Sequence, residues 1–284
     1  MFSTPLLVNT TWLAQHLDSP NVRIIDVRWY LTEPGRGYAE YQAGHIPGAV
    51  YLDIDTDLSG PRGQGPGRHP LPSAEAFAAM AARTGIDATT HVVAYDSVGG
   101  GYAARVWWLL RYFSHAHVSL LDGGWQVWQA AGLPEEQATP TIRPTSFTAK
   151  PQPAMVVDAA RMEQLRQQPG TLLIDARAPE RYQGLTEPVD ARAGHIPGAR
   201  SAPFTANLSQ AGQMLTPSQL RERFDALGAD QATQLVSYCG SGVTAAHNVF
   251  ALELAGYPAA VLYEGSWSDW SADPQRPIAT GEES

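Results

Sequence analysis

Short apolar runs alternate with longer stretches of helical spacing along the chain. Val22-Arg23-Ile24-Ile25-Asp26, His91-Val92-Val93-Ala94-Tyr95 and Val118-Ser119-Leu120-Leu121 are too short for helices and rich in β-branched residues, so they read as buried strands. Between them the spacing predicts a helix over 10–17 capped by Thr10 or Thr11, and further helices over 38–43, 73–84 (capped by Ser73), 103–113 and 124–131. Val50-Tyr51-Leu52 is strand-like, and proline and glycine fill a long loop over 59–72. Strands alternating with helices imply an open parallel sheet with helices on both faces, an α/β fold.

Residues 137–155 interrupt this pattern with a Pro/Thr-rich stretch that reads as a linker. After it the order repeats. Val157 and Asp158 open a helix to Leu165, and Leu172-Leu173-Ile174-Asp175-Ala176-Arg177 mirrors Ile24-Ile25-Asp26-Val27-Arg28. Gly194-His195-Ile196-Pro197-Gly198-Ala199 repeats Gly44-His45-Ile46-Pro47-Gly48-Ala49 letter for letter. Leu235-Val236-Ser237-Tyr238-Cys239 matches Val92-Val93-Ala94-Tyr95-Asp96, and Tyr263-Glu264-Gly265-Ser266-Trp267 matches Leu121-Asp122-Gly123-Gly124-Trp125. Matches in the same order indicate two duplicated domains, 1–136 and 156–284, joined by 137–155.

The second match carries the chemistry. Cys239 is the one cysteine of the 284 residues, and it sits between a short strand and an apolar helix over 244–254. Gly240 and Gly242 let the intervening backbone curl, and a curled loop entering a helix points several N–H groups inward. Such a loop stabilises an anion at its centre, and a thiolate is an anion. A buried structural cysteine is the bland alternative, but a strand, a cysteine, a Gly-rich loop and a helix in sequence form a specific arrangement. The first half has Asp96 at the equivalent place, and a carboxylate cannot act as a sulfur nucleophile. The first domain is therefore expected to be non-catalytic and the second catalytic.

Composition narrows the partners. A hydrophobic fraction of 44% and a charged fraction of 17% fit a globular chain, and the net charge of -9 argues against nucleic acid or an anionic membrane as partner. Met1-Phe2-Ser3-Thr4-Pro5-Leu6-Leu7-Val8 has neither a basic start nor a long apolar core, so no secretory leader is expected. A single cysteine allows no internal disulfide, which fits a reducing compartment, the cytoplasm. His45 and His195 stand in separate domains without cysteines at ligand spacing, so zinc is rejected and no metal or cofactor is expected; both histidines read as bonded within turns.

Together the Asp-x-Arg strand ends, the paired Gly-His-Ile-Pro-Gly-Ala segments, Cys239 with its loop, and Glu264-Gly265-Ser266-Trp267-Ser268-Asp269-Trp270 resemble the tandem-domain rhodanese sulfurtransferases over nearly the whole chain. The loop Cys239-Gly240-Ser241-Gly242-Val243-Thr244 is similar to that of the 3-mercaptopyruvate branch, whereas thiosulfate enzymes typically carry basic residues directly after the cysteine. The resemblance implies a fold of two rhodanese-like domains and a persulfide on Cys239, held by Gly240, Gly242, Val243 and Thr244. It also implies a proton relay from Ser241 through His69 to Asp55, both from the first domain and so placing the site at a domain interface. Arg181 is implied as the ligand of the donor carboxylate. A second arginine often follows a Glu-Pro segment in that branch; here Glu187-Pro188-Val189-Asp190 lacks it, and Arg192 is the nearby candidate to replace it.

The expected function is transfer of a sulfane sulfur from 3-mercaptopyruvate through Cys239 to a thiol, cyanide or a thioredoxin-like acceptor, with release of pyruvate. Thiosulfate as donor and a sulfur-carrying module without turnover are the alternatives. A cysteine phosphatase would want an arginine six residues beyond the nucleophile, where this chain has Ala245.

Overall fold

A computed structural model describes residues 4–282; Met1, Phe2 and Ser3, on which part of the leader reading rests, lie outside the described residues. The chain divides into two compact units. The first holds strands β1 (Leu7–Val8), β2 (Val22–Asp26), β3 (Val50–Tyr51), β4 (His91–Tyr95) and β5 (Val118–Leu121), with helices α1 (Thr10–Ala14), α2 (Arg36–Ala43), α3 (Ala74–Arg83), α4 (Ala103–Tyr112) and α5 (Gly124–Ala130). The second holds β6 (Val156–Val157), β7 (Thr171–Asp175), β8 (Ala199–Ser201), β9 (Gln234–Tyr238) and β10 (Val261–Tyr263), with α6 (Ala159–Leu165), α7 (Pro179–Tyr182), α8 (Pro217–Asp225), α9 (Ala245–Leu254) and α10 (Ser266–Trp270).

Each unit is built on one parallel five-stranded sheet, in the orders β1-β5-β4-β2-β3 and β6-β10-β9-β7-β8. The two orders are the same when the elements are counted within each unit, as duplication requires. Consecutive residues of β4 and of β9 after the first are buried, so both faces of each sheet are covered. The α/β duplication read from the sequence is thus borne out.

Several elements differ from the expectation. Helix α1 stops at Ala14 rather than 17, and its cap is Asn9, whose side chain accepts the Trp12 N–H at 2.8 Å. The edge strands β1 and β6 are only two residues long and offer no alternation to read. Helix α8 begins at a capping box in which Thr216 and Gln219 satisfy each other's amides.

The unit boundaries also differ from 1–136, 137–155 and 156–284. The first unit runs on to Gln152: Thr145 N–H bonds Ala82 O at 2.9 Å and Gln152 N–H bonds Tyr112 O at 2.8 Å, so most of the expected linker is fastened to that unit. Residues 60–71, early in the chain, belong to the second unit, while 208–214 belong to the first. Neither exchange leaves a compositional trace. Among the described residues no helix is long and apolar enough to cross a membrane.

One buried framework recurs in both units. Arg177, at the end of β7, donates to Asp175 at 2.6 Å and to Gly194 O at 2.6 Å, and its guanidinium lies 4.6 Å from the Trp267 ring centre. Arg28 does the same with Asp26 at 2.7 Å, Gly44 O at 2.7 Å and Trp125 at 4.6 Å. The Gly-His-Ile-Pro-Gly-Ala histidines bond backbone: His45 Nδ1 lies 2.7 Å from Tyr41 O and His195 Nδ1 2.8 Å from Tyr182 O, each ring stacked on that tyrosine. Burial alone would lower the Arg177 pKa, but Asp175 outweighs it and the net shift is upward. Removing one partner of such a pair leaves a buried charge uncompensated. Arg177→Ala is therefore expected to destabilise the second unit by about 3–5 kcal/mol. Urea unfolding monitored by tryptophan fluorescence checks this, and an unchanged midpoint would contradict it.

Candidate active site

Cys239 follows β9 directly and is 2% exposed. Its Sγ accepts the Gly242 N–H at 3.2 Å, and Gly242 has φ +80°, a conformation that a side chain would resist. The cysteine's own backbone is clamped from the segment after β10: Ser266 Oγ accepts Cys239 N–H at 3.2 Å and Trp267 N–H bonds Cys239 O at 2.9 Å. Gly240 O accepts Ser268 N–H at 2.9 Å. Val243 and Thr244 lead into α9, their carbonyls accepting the Ala246 and His247 amides at 3.2 and 3.1 Å. The sulfur is thus held on a loop fixed at both ends.

The first unit is an internal control for what such a loop binds. Asp96 is fully buried, and its two carboxylate oxygens accept the N–H groups of Val98, Gly100, Tyr102 and Ala103 at 2.6–2.9 Å. Burial raises its pKa above the ordinary value, while these four donors act against that shift. The loop between β4 and α4 is therefore an anion cradle filled by the chain's own carboxylate.

Ser241 is 6% exposed and His69 2%, and Ser241 Oγ lies 2.6 Å from His69 Nδ1. Residues 60–71 belong to the second unit, so His69, Ser241 and Cys239 stand in one compact unit even though His69 precedes β4 in the chain. Asp55 stands in the first unit, where it accepts the Trp29 Nε1–H at 2.7 Å.

Next to the loop lies a line of alternating charges. Arg177 contacts Glu187 at 3.3 Å; Glu187 pairs with Arg181 at 2.7 Å; Arg181 reaches Asp190 at 3.2 Å; Asp190 pairs with Arg68 at 2.7 Å. Burial pushes the Glu187 carboxyl up, but the bonds from Arg181 and from the Asp190 and Val189 amides outweigh it, and the net shift is downward. A Cβ placed on Gly240 would lie 3.2 Å from Arg68 Nη2 and 3.5 Å from Arg181 Nη1. Positive charge therefore does stand beside the cysteine loop, although no side chain of the loop itself supplies it.

The Rhodanese-like domain family matches residues 9–131 and 158–273. The chain belongs to the rhodanese-like family. A relative from Pseudomonas aeruginosa named "Probable 3-mercaptopyruvate sulfurtransferase" is 46% identical over 283 residues, covering 99% of this chain and 100% of that one. A thiosulfate sulfurtransferase from Cricetulus griseus is 35% identical over 289 residues, covering 97% and 95%. The crystal structure of the 3-mercaptopyruvate sulfotransferase SseA from Escherichia coli superposes with a TM-score of 0.82 at 36% identity, covering 93% of this chain and 100% of that one.

Within this rhodanese-like site, one expected residue is engaged elsewhere. The Arg192 guanidinium donates to the backbone carbonyls of Ser271 at 2.8 Å, Arg276 at 3.2 Å, Trp270 at 3.3 Å and also Asp273. It ties down the turn after α10, and Arg192 is withdrawn as a substitute for the second substrate arginine. Arg68 was missed by sequence reasoning. The only signal was adjacency, since it precedes the singled-out His69 in Gly67-Arg68-His69-Pro70.

The downward shift of Glu187 has a pH consequence. A carboxylate with a depressed folded pKa contributes stability that is present above the unfolded value, about 4.3, and lost as pH falls through the folded value. Over a urea series from about pH 5 down to about pH 3, the unmodified protein is expected to lose more stability than Glu187→Gln. Parallel acid profiles would show that Glu187 contributes nothing through its charge.

Proposed function

We propose that this protein is a sulfurtransferase that takes sulfur from 3-mercaptopyruvate onto Cys239 and passes it to a thiol or cyanide. The observation that carries the reading is a cysteine Sγ held by the Gly242 amide in a loop whose Ser241 hydroxyl lies 2.6 Å from a buried histidine. In the first step the Cys239 thiolate attacks the donor's sulfur. The bond between sulfur and C3 breaks, its electron pair moves to C3 as the enolate of pyruvate, and a proton completes pyruvate. Ser241 and His69, in contact at 2.6 Å, would deliver that proton. Cys239 then carries a persulfide, the covalent intermediate that divides the transfer in two. An acceptor thiolate attacks the outer sulfur, and the Cys239 thiolate departs. A small thiol or a reduced thioredoxin-like protein would serve as acceptor in a reducing cytoplasm. Loop amides stabilise the sulfur anion, as the equivalent amides of the first unit hold Asp96.

Cys239→Ser is expected to keep the fold and lose transfer, because oxygen cannot form the persulfide. Mass spectrometry after exposure to donor should show one added sulfur atom on the unmodified protein and none on this variant. Substantial transfer by folded Cys239→Ser would sink the assignment.

Thiosulfate is the second reading, and the guanidiniums of Arg68 and Arg181 beside Gly240 are what favour it. Asp190 and Glu187 neutralise them, however, so the local charge is balanced and suits a monoanion better than a dianion. The expected kcat/KM for 3-mercaptopyruvate is at least about tenfold that for thiosulfate, ~1.4 kcal/mol in transition-state binding. Ser241→Ala should impair mercaptopyruvate turnover more than thiosulfate turnover. Side-by-side kinetics check both, and a preference for thiosulfate would overturn the donor assignment.

A further inference from the structure

A 2-oxo acid donor carries a carboxylate, and Glu187-Pro188 is followed in this chain by the uncharged Val189. The structure offers a different cation. Arg68 belongs to residues 60–71, which pack in the second unit, and its backbone N–H bonds Ser268 Oγ at 3.0 Å. Gly67, with φ +71°, makes that approach possible: a Cβ there would come 2.4 Å from Gly265 O.

The Arg68 side chain is only 8% exposed. Its Nη1 bonds Asp190 Oδ1 at 2.7 Å, but its Nε is buried without a hydrogen-bond partner. A buried guanidinium with an idle donor is costly unless something completes it. Asp190 also shows what the neighbouring cations can grip together. Its two oxygens are divided between Arg68 Nη1, at 2.7 Å, and Arg181 Nη2, at 3.2 Å. The amino groups not used in those contacts, Arg68 Nη2 and Arg181 Nη1, are the ones nearest Gly240, the residue after Cys239.

We propose that Arg68 is a donor-binding residue, which together with Arg181 clamps the carboxylate of the sulfur donor beside Cys239. Asp190, bonded to both guanidiniums, offsets their charge. This assignment rests on the sulfurtransferase reading for the identity of the donor, and it replaces Arg192 with a cation from a distant part of the sequence. Guanidiniums match a carboxylate in plane and in number of donors, so a lysine would serve less well.

The test compares Arg68→Gln, Arg68→Lys and Asp190→Asn in the full chain, with thermal unfolding measured for each. Arg68→Gln and Asp190→Asn both break the ion pair between the two residues, so a merely structural Arg68 predicts the same kinetic loss from either. Donor binding predicts otherwise. Arg68→Gln should raise KM for 3-mercaptopyruvate by about ten- to a hundredfold with kcat changed by less than about threefold, Arg68→Lys should fall between, and Asp190→Asn should leave KM unchanged or lower it. Equal increases in Arg68→Gln and Asp190→Asn, or an unchanged KM in folded Arg68→Gln, would overturn the proposal. Titration of 3-mercaptopyruvate into Cys239→Ser, with and without Arg68→Gln, reads the clamp without turnover. A weaker Kd on loss of Arg68 supports it even if the unmodified protein proves not to turn the donor over, which would defeat the sulfurtransferase reading instead. The same Kd in both, or no binding in either, defeats the clamp.

Discussion

The placement of the cysteine depends on a buried guanidinium. Arg177 is fixed by Asp175 at the end of β7, by Gly194 O in the repeated turn, and by the Trp267 ring, whose residue in turn bonds Cys239 O. A charge taken out of water must keep all its partners, because losing one costs more than the pair contributes. That asymmetry makes the arrangement rigid: β7, the turn before β8 and the segment after β10 are held to one point. From Arg177 the charges alternate outward through Glu187, Arg181 and Asp190 to Arg68. Each member compensates its neighbours, so the framework that supports the fold continues without a break into the groups beside the reactive loop.

The first unit separates scaffold from chemistry. It has the same sheet order, and its Arg28 makes the same three contacts. What differs is the residue in the loop. Asp96 has two oxygens and takes four amides, which leaves the cradle filled by the protein itself. Cys239 has one sulfur and takes the Gly242 amide. On the proposed reading, the room and the donors that the second carboxylate oxygen uses in the first unit are what a transferred sulfur would use in the second. The same strand–loop–helix frame thus carries a thiol in one unit and its own carboxylate occupant in the other.

Most of the fold was legible because both of its signals are local. Apolar runs bounded by turns mark β2, β4, β5, β7 and β9, and the repeated Gly-His-Ile-Pro-Gly-Ala fixes the correspondence between the halves. The loop that carries Cys239 was legible for the same reason, since strand, cysteine, glycines and helix are contiguous. What escaped was long-range. Nothing in Pro61-Arg62-Gly63-Gln64-Gly65-Pro66 announces that residues 60–71 pack with the later unit, and nothing in residues 137–152 announces bonds to Ala82 and Tyr112. Arg192 and Arg68 illustrate the limit. Proximity in sequence favoured Arg192, yet its planar donors are taken by the carbonyls of Trp270, Ser271, Asp273 and Arg276, while Arg68 reaches the loop from more than a hundred residues away in the chain.

This bears on how anion specificity can be read in such a site. Counting basic residues in the cysteine loop gives none here, which alone would suggest weak attraction for any anion. The folded chain places two guanidiniums beside Gly240 and two carboxylates behind them. On the proposed reading, attraction and charge balance are decoupled: the guanidiniums would supply directional donors for a planar carboxylate, while Asp190 and Glu187 keep the summed charge too small to favour a dianion over a monoanion. A loop with its own lysine or arginine would couple the two, because the same charge that binds the anion would also stabilise a second negative charge on it. Selectivity for a 2-oxo acid over a small inorganic dianion then needs no steric exclusion. On that reading it would follow from guanidinium donors already paired with carboxylates.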